Sequence, residues 1–358
     1  MKPALFANRS NLLDTIRAIA VTMVVLFHVA TRYPVADLDL VARQFLRYGF
    51  LGVDIFYPLS GFLITRFLLG HSERGSIKAF FLRRLFRIVP LYAVAVTIFF
   101  FAATVMQYEA ESLDKIWVTY LFLTGWFAFF TGPDSIPYTI TWSLSVEEFA
   151  YILFGLSAFL LRRSFPAILV CLAIAPFVLR VYLYAEGYEN IYYFPLARLD
   201  SIASGGLVAV LIGRVRHLWA LLAAGTVASM LVWKAGGPVG SAALFTTVTL
   251  ATCTTIAACE TVLSALRGRI LDAAARVGLY SYFIYLFHFF FLYALFMVVG
   301  KLGIAMPSFW IMGLLCMATT YVAAWISFTW FEAPLMQFGR RLERGAPSRP
   351  VIAEGQKP

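Results

Sequence analysis

The sequence predicts an all-α, polytopic membrane helix bundle of about ten transmembrane helices with both termini cytoplasmic. Three observations predict it. Of the 358 residues, 61% are hydrophobic and only 13% charged, with a mean hydropathy of +0.81; a water-soluble chain needs roughly 25% charged residues, so the outer face must be solvated by lipid. Apolar stretches approach spanning length at roughly 12–31, 47–69, 88–107, 116–131, 142–161, 166–185, 198–213, 218–233, 240–260, 280–300 and 308–331. Lys and Arg gather in short clusters between alternate stretches, as cytoplasmic loops do.

A membrane helix needs about 20 residues, with roughly 17 as the lower limit. The segment 116–131 is therefore weak, and its neighbour opens on the polar string YTITWSLSVEE. Basic clusters occur at Lys2 and Arg9; Arg74, Lys78, Arg83, Arg84 and Arg87; Arg162 and Arg163; Arg214 and Arg216; Arg267, Arg269 and Arg276; and Arg340, Arg341, Arg344, Arg349 and Lys357. Connections near 108–115, 186–197, 234–240 and 301–307 are poor in them. For Glu109 to Lys115 to lie outside and Arg162 inside, 116–161 must cross once, which leaves ten spans. The loop 32–46 carries Arg32 and Arg43 against this rule, offset in part by Asp37 and Asp39.

Residues 1–338 are expected to form one membrane-embedded domain and 339–358 a cytoplasmic, disordered tail. The first apolar run carries Asp14, Arg17 and His28 and lacks a small-residue cleavage site, so it is expected to remain as the first span. The net charge of +10 is dispersed among the loops, which fits topology and an anionic ligand and does not fit a nucleic-acid surface. Cys171, Cys253, Cys259 and Cys316 sit in apolar segments without metal-type spacing and read as packing thiols.

Polar residues within the apolar runs carry the functional reading. An ionisable side chain at bilayer depth costs about 2.5 to 3.5 kcal/mol on insertion scales and calls for a partner or a function. In LDTIRAIAVTMVVLFHVA, Arg17 and His28 are eleven residues apart, which returns them to within about 20° of one helix face and separates them by roughly 16 Å. They can line one channel at different depths. Asp14 lies one turn below Arg17 and can pair with it. The plainer alternatives are a core histidine bonded to another helix, and interfacial anchors for Asp14 and Arg17.

GVDIFYPLSGFLIT holds Asp54, Ser60 and Gly61, with Pro58 expected to break the helix, a break tolerated at membrane depth only beside protein or a wet cavity. A simple kink beside an interfacial aspartate is the alternative. FLRRLFRIVPLY puts Arg83, Arg84 and Arg87 ahead of the third span; Arg84 and Arg87 project from one face and make either a phosphate clamp or headgroup anchors. In YTITWSLSVEEFAY, which also contains Trp142, Glu147 and Glu148 point about 100° apart, so one of them faces the interior. Arg198 and Asp200 open ARLDSIASGGLVA, and Glu332 stands just before Pro334 in FEAPL. YSYFIYLFHFFF carries Ser281, Tyr282, Tyr285 and His288, the last reading more readily as a packing or hydrogen-bonding histidine than as a catalytic one.

Taken together, in this order and over about residues 10–338, these stretches resemble the acyltransferase-3 family of bacterial membrane O-acyltransferases. Arg17 and His28, with ten residues between them, match the family's first-span element. The string around Asp54 is similar to its GVDIFFVLSGFLI, Arg84 and Arg87 match its Arg-x-x-Arg element, and WSLSVEE, RLDSI, SYFIYLFH and FEAPL match later blocks. The chain departs at Tyr57 and Pro58, where Phe and Val are usual, and at Phe149 to Tyr151, where a Gln often precedes the aromatics. The resemblance implies about ten membrane helices, catalysis dependent on His28, donor handling at the arginine pair, and a multi-pass protein of the bacterial cell (inner) membrane. It also implies acylation of polysaccharides, lipooligosaccharides, other glycans or glycosylated small molecules. The appended SGNH-type hydrolase domain of longer relatives is not expected here.

The expected mechanism places the phosphates of acyl-CoA, acetyl-CoA foremost, on Arg83, Arg84 and Arg87. His28 acts as general base toward the acceptor hydroxyl, with a transient acyl-histidine left open. Arg17, Asp14 and Glu147 order the interior charges and Asp54 lines the site, while Ser60, Trp142, Glu148, Arg198, Asp200, Tyr285 and His288 are candidates for substrate contact. Expected partners are acyl-CoA, a carbohydrate-like acceptor and membrane lipids, with no metal and no nucleic acid; a homodimer is left open. The rival is a multispan transporter whose buried charges bind substrate or relay protons. A scaffold without chemistry would leave the burial of Arg17 and His28 without a reason.

Overall fold

The computed structural model describes residues 10–71, 77–106 and 113–344. Lys2, Arg9, Arg74, Glu109, Arg349 and Lys357, and the part of the expected tail beyond 344, lie outside the described residues. Hydrocarbon offers no hydrogen bonds, so each buried segment must satisfy its backbone within itself, and the apolar runs accordingly become helices. In chain order these are α1 (Asn11–Ala30), α2 (Leu40–Tyr48), α3 (Gly52–His71), α4 (Ile77–Val105), α5 (Ile116–Tyr120), α6 (Thr124–Thr131), α7 (Trp142–Leu160) and α8 (Phe165–Ala185). They continue as α9 (Leu199–Leu211), α10 (Leu218–Ala235), α11 (Gly237–Thr261), α12 (Arg269–Leu279), α13 (Ser281–Leu302), α14 (Phe309–Ser327) and α15 (Ala333–Arg344).

Among the described residues, nine helical segments are long and apolar enough to cross a membrane. The stretch 116–131 is not one of them: it divides into α5 and α6, with Phe122 at a φ of +58° between them. Residues 116–161 thus supply one long helix, α7. The stretch 198–213 also differs from expectation, because α9 has only 13 residues, about 20 Å at 1.5 Å per residue. It is short because it lies inside the bundle, with Asp200, Ser201, Ile202, Ala203, Gly205 and Gly206 all buried, and its neighbours do the spanning.

Helices α1 and α3 form the centre, and α13, α14, α9 and α7 pack around them. The exterior is apolar: Phe101, Phe130 and Leu314 are 70%, 72% and 70% exposed, as lipid-facing residues should be. Cys253, Cys259 and Cys316 are buried, whereas Cys171 is exposed on α8. Three short helices, α2, α12 and α15, are amphipathic and lie against the spans. Asp39 caps α2 by accepting the Ala42 N–H at 2.8 Å and also accepts the Trp310 indole N–H at 2.6 Å. Those bonds hold its carboxyl below the usual range and tie the 32–46 loop to α14. Arg32 in the same loop donates to the Tyr293 hydroxyl at 2.6 Å, and Arg43 to the Leu38 carbonyl at 2.9 Å, which occupies the two cations that the loop charge pattern left over.

Helix α3 runs through Pro58 without the expected break. The support comes from α9, whose backbone lies directly against it: Gly205 abuts the Pro58 carbonyl, and Gly61 abuts the Ile202 carbonyl. Near the other end of the bundle Gly278 on α12 abuts the Asp14 carbonyl, and on α15 Gly339 meets the Phe86 ring. Helix α15 therefore continues past the boundary placed at 338, packed on α4.

The α3–α9 approach generates a prediction. Gly61→Ala sets a methyl group into the Ile202 carbonyl, which must move, at a cost of about 1–3 kcal/mol. Gly70→Ala meets nothing within 4 Å and is expected to be neutral. Thermal unfolding in detergent should show a lowered midpoint for the first and an unchanged one for the second.

Candidate active site

Three adjoining cavities run along the α1–α3–α7–α13 core. The first, about 260 Å³, is lined by Arg83, Arg84 and Arg87 of α4, by Leu63, Phe67 and Phe80, and by Met336 and Arg340 of α15. It is a basic mouth. Arg83 lies over the Phe67 ring at 5.0 Å and Arg84 over the Tyr151 ring at 4.0 Å, so both guanidiniums are held on aromatic faces.

Leu63, Arg84 and Arg87 also line the second cavity, a narrow throat of about 110 Å³. Its polar wall comprises Arg17, Tyr57, Ser60, Ser143, Glu147, Tyr151, Ser281, Tyr282 and Tyr285. Two hydroxyls hold Glu147: Ser60 donates to Oε1 at 2.9 Å and Tyr151 to Oε2 at 2.6 Å. The side chain of Tyr285 bonds to the Ile140 carbonyl at 2.6 Å and to Ser143 at 2.7 Å, which fixes its ring at the throat's far end.

Val53 and Tyr285 are shared with the third cavity, a chamber of about 400 Å³. His28 is on its wall with Phe27, Phe50, Trp142, Tyr192, Tyr193 and Phe289, together with the polar groups of Asp134 and Thr139. The order mouth, throat, chamber follows the axis of α1, with Arg17 at the throat and His28 at the chamber roughly 16 Å further along. His28 is half-buried, and its Nδ1 lies 2.9 Å from the Val24 carbonyl and 3.1 Å from His288 Nε2.

The structure thus brings Arg17, His28, Ser60, Arg83, Arg84, Arg87, Trp142, Glu147 and Tyr285 onto the walls of three adjoining cavities that share lining residues. Glu148 lines none of the three cavities; adjacent residues on a helix diverge, and Glu147 takes the inward position. Asp14 is buried at the α1–α12 contact, away from these walls. His288 is fully buried beside His28 and lines none of the three cavities.

Asp54, Arg198 and Asp200, read as site candidates, line none of the three cavities and are held in ion pairs. The Arg198 guanidinium contacts the Asp54 carboxylate, and both residues are fully buried. Arg180, which the sequence reading passed over, makes a two-pronged pair with Asp200 at 2.7 and 2.6 Å and donates to the Ala197 carbonyl at 2.5 Å. The Arg198 guanidinium also lies over the Phe245 ring at 4.1 Å. These four charges cancel one another inside the bundle and tie α3, α8 and α9 together. The available signal for Arg180 was a lone arginine inside an apolar span, which demands a partner.

Asp134, Tyr192 and Tyr193 were likewise missed, because they sit in connections between helices and acquire a role only through the chamber wall. Among the described residues no group of three or more His, Cys, Asp or Glu is placed to hold a metal ion.

An all-helical bundle with nine segments long and apolar enough to cross a membrane among the described residues, and with polar cavities inside it, defines a multi-pass membrane protein. Residues 11–328 match the model of the family described as "Acyltransferase domain". The chain belongs to that family, acyltransferase-3. It is similar to O-acetyltransferase OatA of Staphylococcus aureus strain NCTC 8325 / PS 47 and to the protein of that name in strain COL, 30% identical over 170 residues in each case. The similarity covers 43% of this chain and 26% of each relative, so the chain spans about a quarter of their length. No solved structure matches.

The ion-pair cluster yields a prediction for stability. Arg180→Met leaves Asp200 buried without its partner and is expected to cost about 3–5 kcal/mol, whereas Arg180→Met with Asp200→Leu should recover most of that. Thermal unfolding measures both.

Proposed function

We infer that this chain is a membrane O-acetyltransferase that moves an acetyl group from acetyl-CoA to a hydroxyl of a carbohydrate-like acceptor, with His28 as general base. The observation that supports the reading is the series of three adjoining cavities, sharing wall residues, between the arginine mouth and the imidazole. CoA phosphates need a fork of guanidiniums at an accessible surface, and Arg83, Arg84 and Arg87 supply one. The thioester arm is thin and largely uncharged, and the throat between mouth and chamber is correspondingly narrow. Glu147, held by Ser60 and Tyr151, and Arg17 line the route and balance charge along it.

The chamber suits a sugar. Apolar faces of a pyranose ring stack on aromatic side chains while its hydroxyls need polar partners at the edge, and Trp142, Tyr192 and Tyr193 beside Asp134 and Thr139 combine the two. His28 takes the proton of the attacking hydroxyl as its oxygen bonds to the acyl carbon. The C–S bond then breaks and the proton passes to the CoA sulfur. If the basic clusters are cytoplasmic, as the loop charges suggest, the donor enters from inside and transfer occurs toward the outer face of the bacterial cell membrane.

Radiolabelled acetyl-CoA with octyl glucoside as a simple acceptor tests this on purified protein. His28→Ala should lower transfer by about 10²- to 10⁴-fold while acetyl-CoA still binds. Arg84→Ala combined with Arg87→Ala should weaken acetyl-CoA binding at least tenfold. Full turnover without His28 would remove the base. Substrate uptake into vesicles lacking any acyl-CoA would favour a transporter instead.

The acceptor assignment has its own test. Trp142→Ala should raise the KM for octyl glucoside several-fold and leave acetyl-CoA affinity unchanged; a selective loss of donor binding would move the acceptor elsewhere.

A further inference from the structure

His28 and His288 meet edge to edge in the core, on α1 and α13, and their hydrogen-bond partners determine where the ring protons sit. His288 Nδ1 lies 2.7 Å from the Tyr285 carbonyl and 3.1 Å from the Ile284 carbonyl. Carbonyl oxygens only accept, so Nδ1 must carry a hydrogen. A neutral His288 then has its lone pair on Nε2, and Nε2 points at His28 Nδ1 at 3.1 Å. His28 Nδ1 is therefore flanked by two acceptors, that nitrogen and the Val24 carbonyl at 2.9 Å. A lone pair at His28 Nδ1 would face two others, so this atom carries the hydrogen. The remaining ring nitrogen, His28 Nε2, is left unprotonated, as a base requires.

We propose that His288 is a positioning residue of the transfer reaction: it holds His28 in the tautomer whose Nε2 is free to take the acceptor proton, and it shares the charge that follows. This rests on the reading of His28 as general base. When the acceptor O–H bond breaks and its proton binds His28 Nε2, the His28 Nδ1 proton shifts along the existing bond to His288 Nε2. His288 then carries both ring hydrogens, and its Nδ1–H remains held by the two carbonyls of α13. The reverse shift restores His28 Nδ1–H and releases the Nε2 proton to the departing CoA sulfur, so the reaction closes without any other proton source. A buried imidazole here does the orienting that a carboxylate does in a hydrolase triad, with no permanent charge placed in the membrane.

The four histidines of the chain make the arrangement directly observable by ring-nitrogen NMR on protein labelled at histidine, with signals assigned by single substitution. In the unaltered protein His28 should show a protonated Nδ1 and an unprotonated Nε2. His288→Leu removes the acceptor and should lower kcat for acetyl transfer to octyl glucoside roughly 10²-fold, leave the KM for acetyl-CoA unchanged and give His28 a mixture of tautomers. His288→Gln, whose side-chain oxygen can accept from His28 Nδ1–H, should recover kcat to within about tenfold. A neutral His28 protonated on Nε2, a fully active His288→Leu, or a His288→Gln as impaired as His288→Leu would each overturn the proposal. Should His288→Leu not fold, the NMR signature and His288→Gln decide. An inactive His28→Ala beside an active His288→Leu would sink this inference alone, whereas an active His28→Ala would sink the base itself.

Discussion

Asp54 and Arg198 touch inside a bundle surrounded by hydrocarbon, and Arg180 grips Asp200 beside them. A single buried charge at that depth would be driven to neutralise or to move toward water. Two of each sign, all nearly inaccessible, can stay only if the helices that carry them are locked together. The pairs thereby set the relation of α3, α8 and α9, and the close approach of Gly61 and Gly205 to the opposing backbones keeps α3 helical through Pro58. Since α3 lines the throat with Tyr57, Ser60 and Leu63, the geometry of the throat depends on charges that never face it.

The cavities divide the work by chemistry. Permanent cations stand at the mouth, where an anion can arrive from water. Hydroxyls and one carboxylate line the throat, and aromatic rings with a few polar edges make the chamber. His28 stands in the chamber, a cavity that none of Arg83, Arg84 and Arg87 lines.

Much of this was legible in the chain. Arg17 and His28 share a face because eleven residues nearly complete three helical turns, and that relation holds in any helix. The inward role of one glutamate of the Glu147–Glu148 pair followed from the same periodicity, but which of the two required the packing of α7 on α3 and α4. Asp54, Arg198 and Asp200 stood out as costly charges in apolar segments. Their partners could not be read there, because a charge pattern announces the need for a partner without naming it; Arg180 on another helix is the partner of Asp200. His288 was read as a packing or hydrogen-bonding histidine, and its bond to His28 gives that reading a specific content.

Composition and periodicity alone determined that the chain is a lipid-embedded helix bundle, where most of its long apolar helices lie, and that Arg17 and His28 share one face of α1. Those are local properties, set by the cost of exposing backbone to lipid and by 100° of turn per residue. The pairing of the four buried charges, the alignment of mouth, throat and chamber, the aromatic wall contributed by Tyr192 and Tyr193, and the contact between the two imidazoles were decided by the tertiary structure. Each joins residues from separate helices, and distance between helices is fixed by how their surfaces fit, a quantity that no single segment contains.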